Sequence, residues 1–276
     1  MRSVPLRSIL SLLALSLLSA PSAVQVTPQR GVVLSDLTWN EAEAALGPQT
    51  VVVIPLGAAS KEHGPHLRLD NDLRLAQYFT GRVLAAAEVV LAPTIPYHFY
   101  PAFLEYPGST HLSFETARDV VIDIVRSLAG YGPRRFYVLN MGVSTLGPLK
   151  SSAEVLAREG ILLRYTDYLE VSAEATKRVE KQLRGTHADE IETSMMLYID
   201  PSRVNMSLAV RDDNPNVPGA PLSRKNDGKG VYSASGVWGD ATLATHEKGR
   251  TVVEAMAKGI LNDIIALRSV ELPRRD

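Results

Sequence analysis

The chain has no cysteine in its 276 residues. That absence excludes disulfide scaffolds, thiolate zinc sites, thiol nucleophiles and thioether-linked haem. Neither sign of charge is in real excess: 29 Lys and Arg stand against 30 Asp and Glu, a net charge of −1. A bulk nucleic-acid binder wants a basic face and an acidic tail a run of carboxylates, so the balance argues against both classes. No internal repeat and no linker marks a domain boundary. Histidine is sparse, with six residues at 63, 66, 98, 111, 187 and 246. Chemistry therefore falls to these rings, to carboxylates, hydroxyls and lysine, or to a metal held by nitrogen and oxygen. What is present, 45% hydrophobic and 21% charged residues, suits an ordinary globular protein.

The N-terminal segment has the layout of a secretory signal peptide. Arg2 and Arg7 are followed by a short apolar run from Ile9 to Leu18, then by the small residues Ser19, Ala20, Ser22 and Ala23. The run falls short of the ~20 apolar residues that span a bilayer. An uncleaved anchor and a mitochondrial targeting helix are the alternative readings. Cleavage after Ser22 separates a signal peptide, 1–22, from a single mature domain, 23–276. Without Arg2 and Arg7 the 29 basic residues become 27 against 30 acidic ones, a mature charge of −3. The expectation is an exported protein, periplasmic or secreted, with no membrane attachment after cleavage.

Along the mature chain, Thr38 and Glu41 have the spacing of a capping box and predict a short helix over 39–46. The unbroken β-branched run at 51–56 reads as a strand buried on both faces, hence part of a parallel sheet. Helical patterns follow at 70–87, 114–129 and 148–159, alternating with strands at 89–93, 135–140 and 161–163. Residues 187–199 read as helix, 211–235 as a Pro-, Gly-, Asn- and Asp-rich loop, and 244–268 as a closing helix. This alternation predicts a three-layer α/β/α sandwich around a mainly parallel sheet. Ligands in such folds bind beyond the C-terminal strand ends, which nominates the loops 57–72, 93–113 and 140–147.

The first of these loops, Gly57-Ala-Ala-Ser-Lys61-Glu62-His63-Gly-Pro-His66-Leu-Arg-Leu-Asp70-Asn-Asp72, concentrates ligand types. Glu62, His63 and Asp72 offer the oxygen and nitrogen donors that zinc, manganese or iron accept. Gly64-Pro65 turns the chain so that groups nine residues apart can approach. The plain alternative is a polar turn with Asp70 or Asp72 capping the next helix.

This loop resembles the creatininase (creatinine amidohydrolase) family. Other segments agree in order and spacing: Leu37-Thr38-Trp39, Tyr106-Pro107-Gly108-Ser109-Thr110, His187-Ala188-Asp189-Glu190-Ile191-Glu192-Thr193-Ser194, and Gly236-Val237-Trp238-Gly239-Asp240 with Ala244-Thr245-x-Glu247-Lys248-Gly249. The resemblance covers roughly 34 to 265. It implies a three-layer α/β fold, often hexameric, and a two-metal site with a bridging Asp. A metal-activated water would attack the carbonyl of a cyclic or linear amide. It makes His63 a metal ligand, Asp72 the bridge and His187 a proton carrier. Two departures stand out. The family Glu two residues before the first His is Lys61 here, with Glu62 one residue later in a loop one residue longer. After the third strand the family has His and, in a variant, Glu where this chain has Gly142 and Ser144, so two ligands are absent from their expected places.

His98 and His111 are candidate replacements, against a plain packing role. His66 is expected to orient the loop through hydrogen bonds, and His246 is read as structural. Glu192, buried among Ile191, Met195 and Met196, needs a partner such as a metal or His187. Thr186 or His187 as a helix cap is the structural alternative for that segment. Ser144 and Ser194 have no neighbouring base, so a serine hydrolase is unsupported. The expectation is a metal-dependent amidohydrolase acting on a small amide. Metal ligands are Glu62, His63 and Asp72, catalytic residues His187 and Glu192, and the cofactor one or two divalent ions of zinc, manganese or iron. No nucleic-acid partner is expected, and the chain is expected to form a homo-oligomer, as a hexamer in the family pattern. The alternative is a binding protein of the same fold that has lost part of the metal site.

Overall fold

The computed structural model describes residues 29–214 and 221–276; the signal-peptide segment lies outside the described residues. Five parallel strands form the central sheet: β1 (Val32–Val33), β2 (Val51–Leu56), β3 (Val90–Leu91), β4 (Arg135–Asn140) and β5 (Leu162–Tyr165), in the order β1-β3-β2-β4-β5. Helices α1 (Trp39–Ala45), α2 (Asn71–Ala86), α3 (Phe114–Ala129), α4 (Leu146–Ala157), α5 (Tyr168–Val179), α6 (Glu190–Ile199) and α7 (His246–Leu267) complete the architecture. Two short pairs, Arg211–Asp212 with Gly239–Asp240 and Leu222–Ser223 with Val231–Tyr232, lie outside the sheet. No described helix is long and apolar enough to cross a membrane.

The sheet is buried on both faces along its centre, where β2 is apolar at every position and β4 carries the apolar run Phe136–Leu139. In β2, Val51 and Val53 pack under α2, α6 and α7, while Val52, Ile54 and Leu56 pack under α3 and α4. Tyr137 and Leu139 of β4 follow the first set and Phe136 and Val138 the second. A period of two therefore feeds two separate cores, and the three-layer sandwich follows.

The helices match their sequence patterns within a few residues at each end, and the Thr38–Glu41 capping box is present. The strand expected at 89–93 pairs only at Val90–Leu91. The segment expected as a loop, 211–235, carries three of the four short strands above, at Arg211–Asp212, Leu222–Ser223 and Val231–Tyr232. Helix α5 has no counterpart among the predicted elements. Its signals are Asp167 as N-cap, accepting from the Leu169 and Glu170 N–H groups, and Lys177 and Arg178 in the last turn. Helix α6 begins at Glu190, not 187, and its cap is Asp189. Neither Thr186 nor His187 caps it. Asp70 does not cap α2 through its side chain either; it pairs with Arg74 and Arg203.

Gly57 ends β2 against the start of α2. A Cβ there would overlap the backbone carbonyl of Asp72, so only glycine lets Asp72 sit at the strand end.

His98, in the loop after β3, is buried with neither ring nitrogen hydrogen-bonded. Burial pushes this ring down to about 4. An unfolded chain binds that proton near pH ~6.5, whereas the fold binds it only far lower. The neutral ring's contribution to stability is thus complete above the unfolded value and falls as pH drops towards the folded one. At pH 5 the loss from this ring is about 2 kcal/mol. Urea unfolding at pH 7 and pH 5 should show it, and a His98→Gln variant should show correspondingly less; equal pH dependence in both would contradict this.

Candidate metal centre

The loop after β2 and the segment leading into α6 meet beyond the C-terminal edge of the sheet. His63 is buried, and its Nδ1 lies 2.8 Å from the Lys61 carbonyl oxygen. A carbonyl only accepts, so Nδ1 carries the hydrogen and Nε2 is left as the donor atom towards a cation. That Nε2 lies 2.7 Å from Asp72 Oδ1 and 3.6 Å from Glu192 Oε1. A neutral ring would aim a lone pair at two carboxylates, an arrangement that calls for a proton or a metal ion between them. In the absence of an ion, burial pulls the His63 ring down, but Asp72 and Glu192 outweigh burial and Lys61 and hold it above its ordinary value.

Asp72 is fully buried in the first turn of α2. Its second oxygen, Oδ2, has no aligned hydrogen-bond donor but lies 2.7 Å from Lys61 Nζ. Burial favours the neutral acid, yet Lys61 and His63 together hold this carboxyl far below the usual range. Burial likewise disfavours the Lys61 charge, while Asp72, Glu192 and Glu62 hold the ammonium above its ordinary value.

Glu192 sits in the first turn of α6, where the helix dipole favours a carboxylate. It accepts from the Ala188 N–H at 2.7 Å and from Asn71 Nδ2 at 3.5 Å. Five residues of helix would have separated His187 from Glu192. The chain instead pairs His187 antiparallel with Trp238 and turns at Ala188, whose φ of 48° lies in the left-handed region. The turn brings His187 Nδ1 to 3.7 Å from Glu192 Oε2. As a result His63, His187 and Glu192 offer ligand atoms all within 4.8 Å of one another. The carboxylates of Asp72 and Glu192 with the two imidazoles fit zinc, manganese or iron by donor chemistry.

Sequence reasoning grouped Glu62 with His63 and Asp72. The structure turns its carboxylate elsewhere: Oε2 lies 3.0 Å from His187 Nε2 and Oε1 accepts from the Gly64 N–H. Burial raises this carboxyl, but His187, the Gly64 N–H and His63 together bring it below its usual value. His66 Nε2 lies 2.7 Å from Thr193 Oγ1, tying the loop to α6, and burial pushes this ring down to about 4. His111 Nδ1 accepts from the Tyr100 N–H at 3.1 Å, and His98 is enclosed in its own loop, so neither joins the cluster. His246 is exposed at the start of α7, against Tyr198.

The loop after β4 closes on itself. Asn140 Nδ2 donates to the Gly142 carbonyl at 2.7 Å, Thr145 Oγ1 donates to Asn140 Oδ1 at 2.7 Å, and Ser144 Oγ donates to the Phe99 carbonyl at 2.8 Å. No residue of this turn replaces the missing ligands. Lys61, His187 and Glu192 line a cavity of about 390 Å³ whose walls include Phe103, Met141, Leu222 and Trp238. That size suits a small molecule. A larger groove of about 750 Å³ beside β5 and α7 contains no histidine and lies away from this cluster.

A parallel sheet with histidines and carboxylates gathered at its C-terminal edge, beside a cavity of small-molecule size, has the donor set of a metal centre. The comparisons with known proteins agree. Residues 35–264 match the creatininase (creatinine amidohydrolase) family. The creatinine amidohydrolase of Pseudomonas putida is 26% identical over 254 residues, covering 85% of this chain and 96% of that protein. The mycofactocin precursor peptide peptidase of Mycobacterium tuberculosis is 28% identical over 215 residues, covering 74% and 80%. A solved structure of a mutant creatininase of Zn-Zn type superimposes with a TM-score of 0.69 at 25% identity, covering 86% of this chain and 98% of that one. The chain belongs to the creatininase family, whose members are metal-dependent hydrolases acting on carbon–nitrogen bonds.

Gly236, with φ of 83°, carries the loop that covers Glu62, and a Cβ there would run into the Glu62 carboxylate. Gly236→Ala should therefore cost about 1–2 kcal/mol in denaturant unfolding. It should also abolish the downfield Nε2–H resonance of His187 expected in the wild type; an unchanged resonance would contradict this seating of Glu62.

Proposed function

We propose that this protein hydrolyses the carbon–nitrogen bond of a small cyclic or linear amide, using a divalent ion held by His63, Asp72 and Glu192. The observation that carries this is the convergence of His63 Nε2, Asp72 Oδ1 and Glu192 Oε1 beside a cavity of about 390 Å³. Zinc, manganese and iron all suit such donors. A bound ion supplies Lewis acidity, polarising the carbonyl and making water acidic enough to attack near neutral pH.

The chain's own residues supply the rest. The Lys61 carbonyl fixes the His63 tautomer, and the Ala188 N–H and Asn71 fix the Glu192 carboxylate. Glu62 accepts from His187 Nε2–H, which leaves Nδ1 to take a proton from the attacking water and return it to the leaving nitrogen. Phe103, Leu222 and Trp238 form apolar walls that exclude bulk water and contact the substrate. The cavity's volume favours a small amide over an extended chain.

A second reading is favoured by the self-closed loop after β4: a protein that binds such an amide without turning it over. The resemblance to creatininases further supports a homo-oligomer, and the pattern of residues 1–22 supports export.

Elemental analysis with an amide-hydrolysis screen tests the main reading. Chelation should abolish turnover and added metal restore it. Glu192→Gln should lose both metal and activity. His187→Gln should retain metal and lose roughly 10²–10⁴-fold in turnover. Activity in metal-free protein would overturn this reading, and binding without turnover would favour the second. If residues 1–22 direct export, the mature protein should begin at Ala23 and be found outside the cytoplasm; an intact N-terminus on cytoplasmic protein would contradict it.

A further inference from the structure

Lys61 is the charged group of the site for which a hydrolase of this kind has no ordinary use. It is buried, 5% exposed, and its ammonium contacts the Asp72 oxygen that His63 does not. Asp72 therefore already bridges two partners, His63 on Oδ1 and Lys61 on Oδ2. The ammonium also lies 4.9 Å from the centre of the Phe103 ring, on the cavity wall, and 5.5 Å from that of the buried Tyr100. Lys61 stands where the family pattern has a glutamate, and the two other positions where that pattern has ligands hold Gly142 and Ser144, whose hydroxyl is spent on the Phe99 carbonyl.

We propose that the Lys61 ammonium is a built-in cation that takes the place of a second metal ion against Asp72, so that each chain holds one divalent ion. The inference rests on the metal-dependent reading above. Charge balance supports it. Asp72, Glu192 and Glu62 bring three negative charges to the site, and one ammonium with one divalent ion matches them. A second divalent ion would leave an uncompensated excess in a buried site, which is costly. The ammonium also faces the cavity, where it presents positive charge to a substrate carbonyl that gains negative charge.

The test is metal stoichiometry. Metal-depleted full-length protein is titrated with Zn²⁺ alone by calorimetry, and the loaded protein is checked by elemental analysis. The wild type should take up one ion per chain at this site. Two ions would overturn the role of Lys61, whereas none would overturn the metal-dependent reading itself. The double variant Lys61→Glu with Gly142→His should take up two, and one would count against the proposal. Should that variant not fold, Lys61→Met decides. Removing a cation beside Asp72 should tighten Zn²⁺ binding by roughly tenfold or more, and unchanged or weaker binding would overturn the proposal.

Discussion

The buried carboxylate of Asp72 is the constraint on which the rest of the centre depends. A carboxylate this deep is stable only with cations or strong donors on both oxygens. His63 meets one oxygen and Lys61 the other, each at 2.7 Å. Its place is set by backbone rather than by side chains: Gly57 lets the end of β2 touch the start of α2, and the helix N-terminus adds its own positive end. The loop between them returns along the sheet edge, tied back by the Lys61 N–H to the Leu69 carbonyl, and carries Lys61, Glu62 and His63 there.

The second half of the site comes from more than a hundred residues away and is held by a different device. Asp189 caps α6, Ala188 turns the chain in the left-handed region, and the bridge to Trp238 anchors His187. These features bring two histidines and three carboxylates together from two segments. Glu62 pairs with His187 and Asp72 with His63, so each histidine has its own acid, and Glu192 lies between the two rings. In the proposed reading, that division separates metal holding from proton transfer.

Much of the fold was legible because β2, α3 and α7 carry long, regular apolar patterns, and the strand-helix alternation defines a covered parallel sheet. Helix α5 was not, since its apolar face is thin and its cap, Asp167, follows a strand without a break. The loop 57–72 was legible as a site because ligand types crowd it. Its internal assignment was not. Whether Glu62 or Glu192 faces His63 depends on contacts 125 and 129 residues apart in sequence, and on the backbone turn at Ala188, which no local pattern encodes. The role of Lys61 was visible only as a departure from a family pattern until its ammonium was seen against Asp72.

The central claim is that a divalent ion binds between His63, Asp72 and Glu192 while Lys61 keeps its hold on Asp72. The most direct measurement is a crystal structure of the metal-loaded protein with anomalous data collected at that metal's absorption edge. The account predicts one anomalous peak at about 2.0–2.2 Å from His63 Nε2 and from oxygens of Asp72 and Glu192, with the Lys61 ammonium still against the other Asp72 oxygen. Two peaks straddling Asp72 with Lys61 displaced, or no peak at this position, would contradict it.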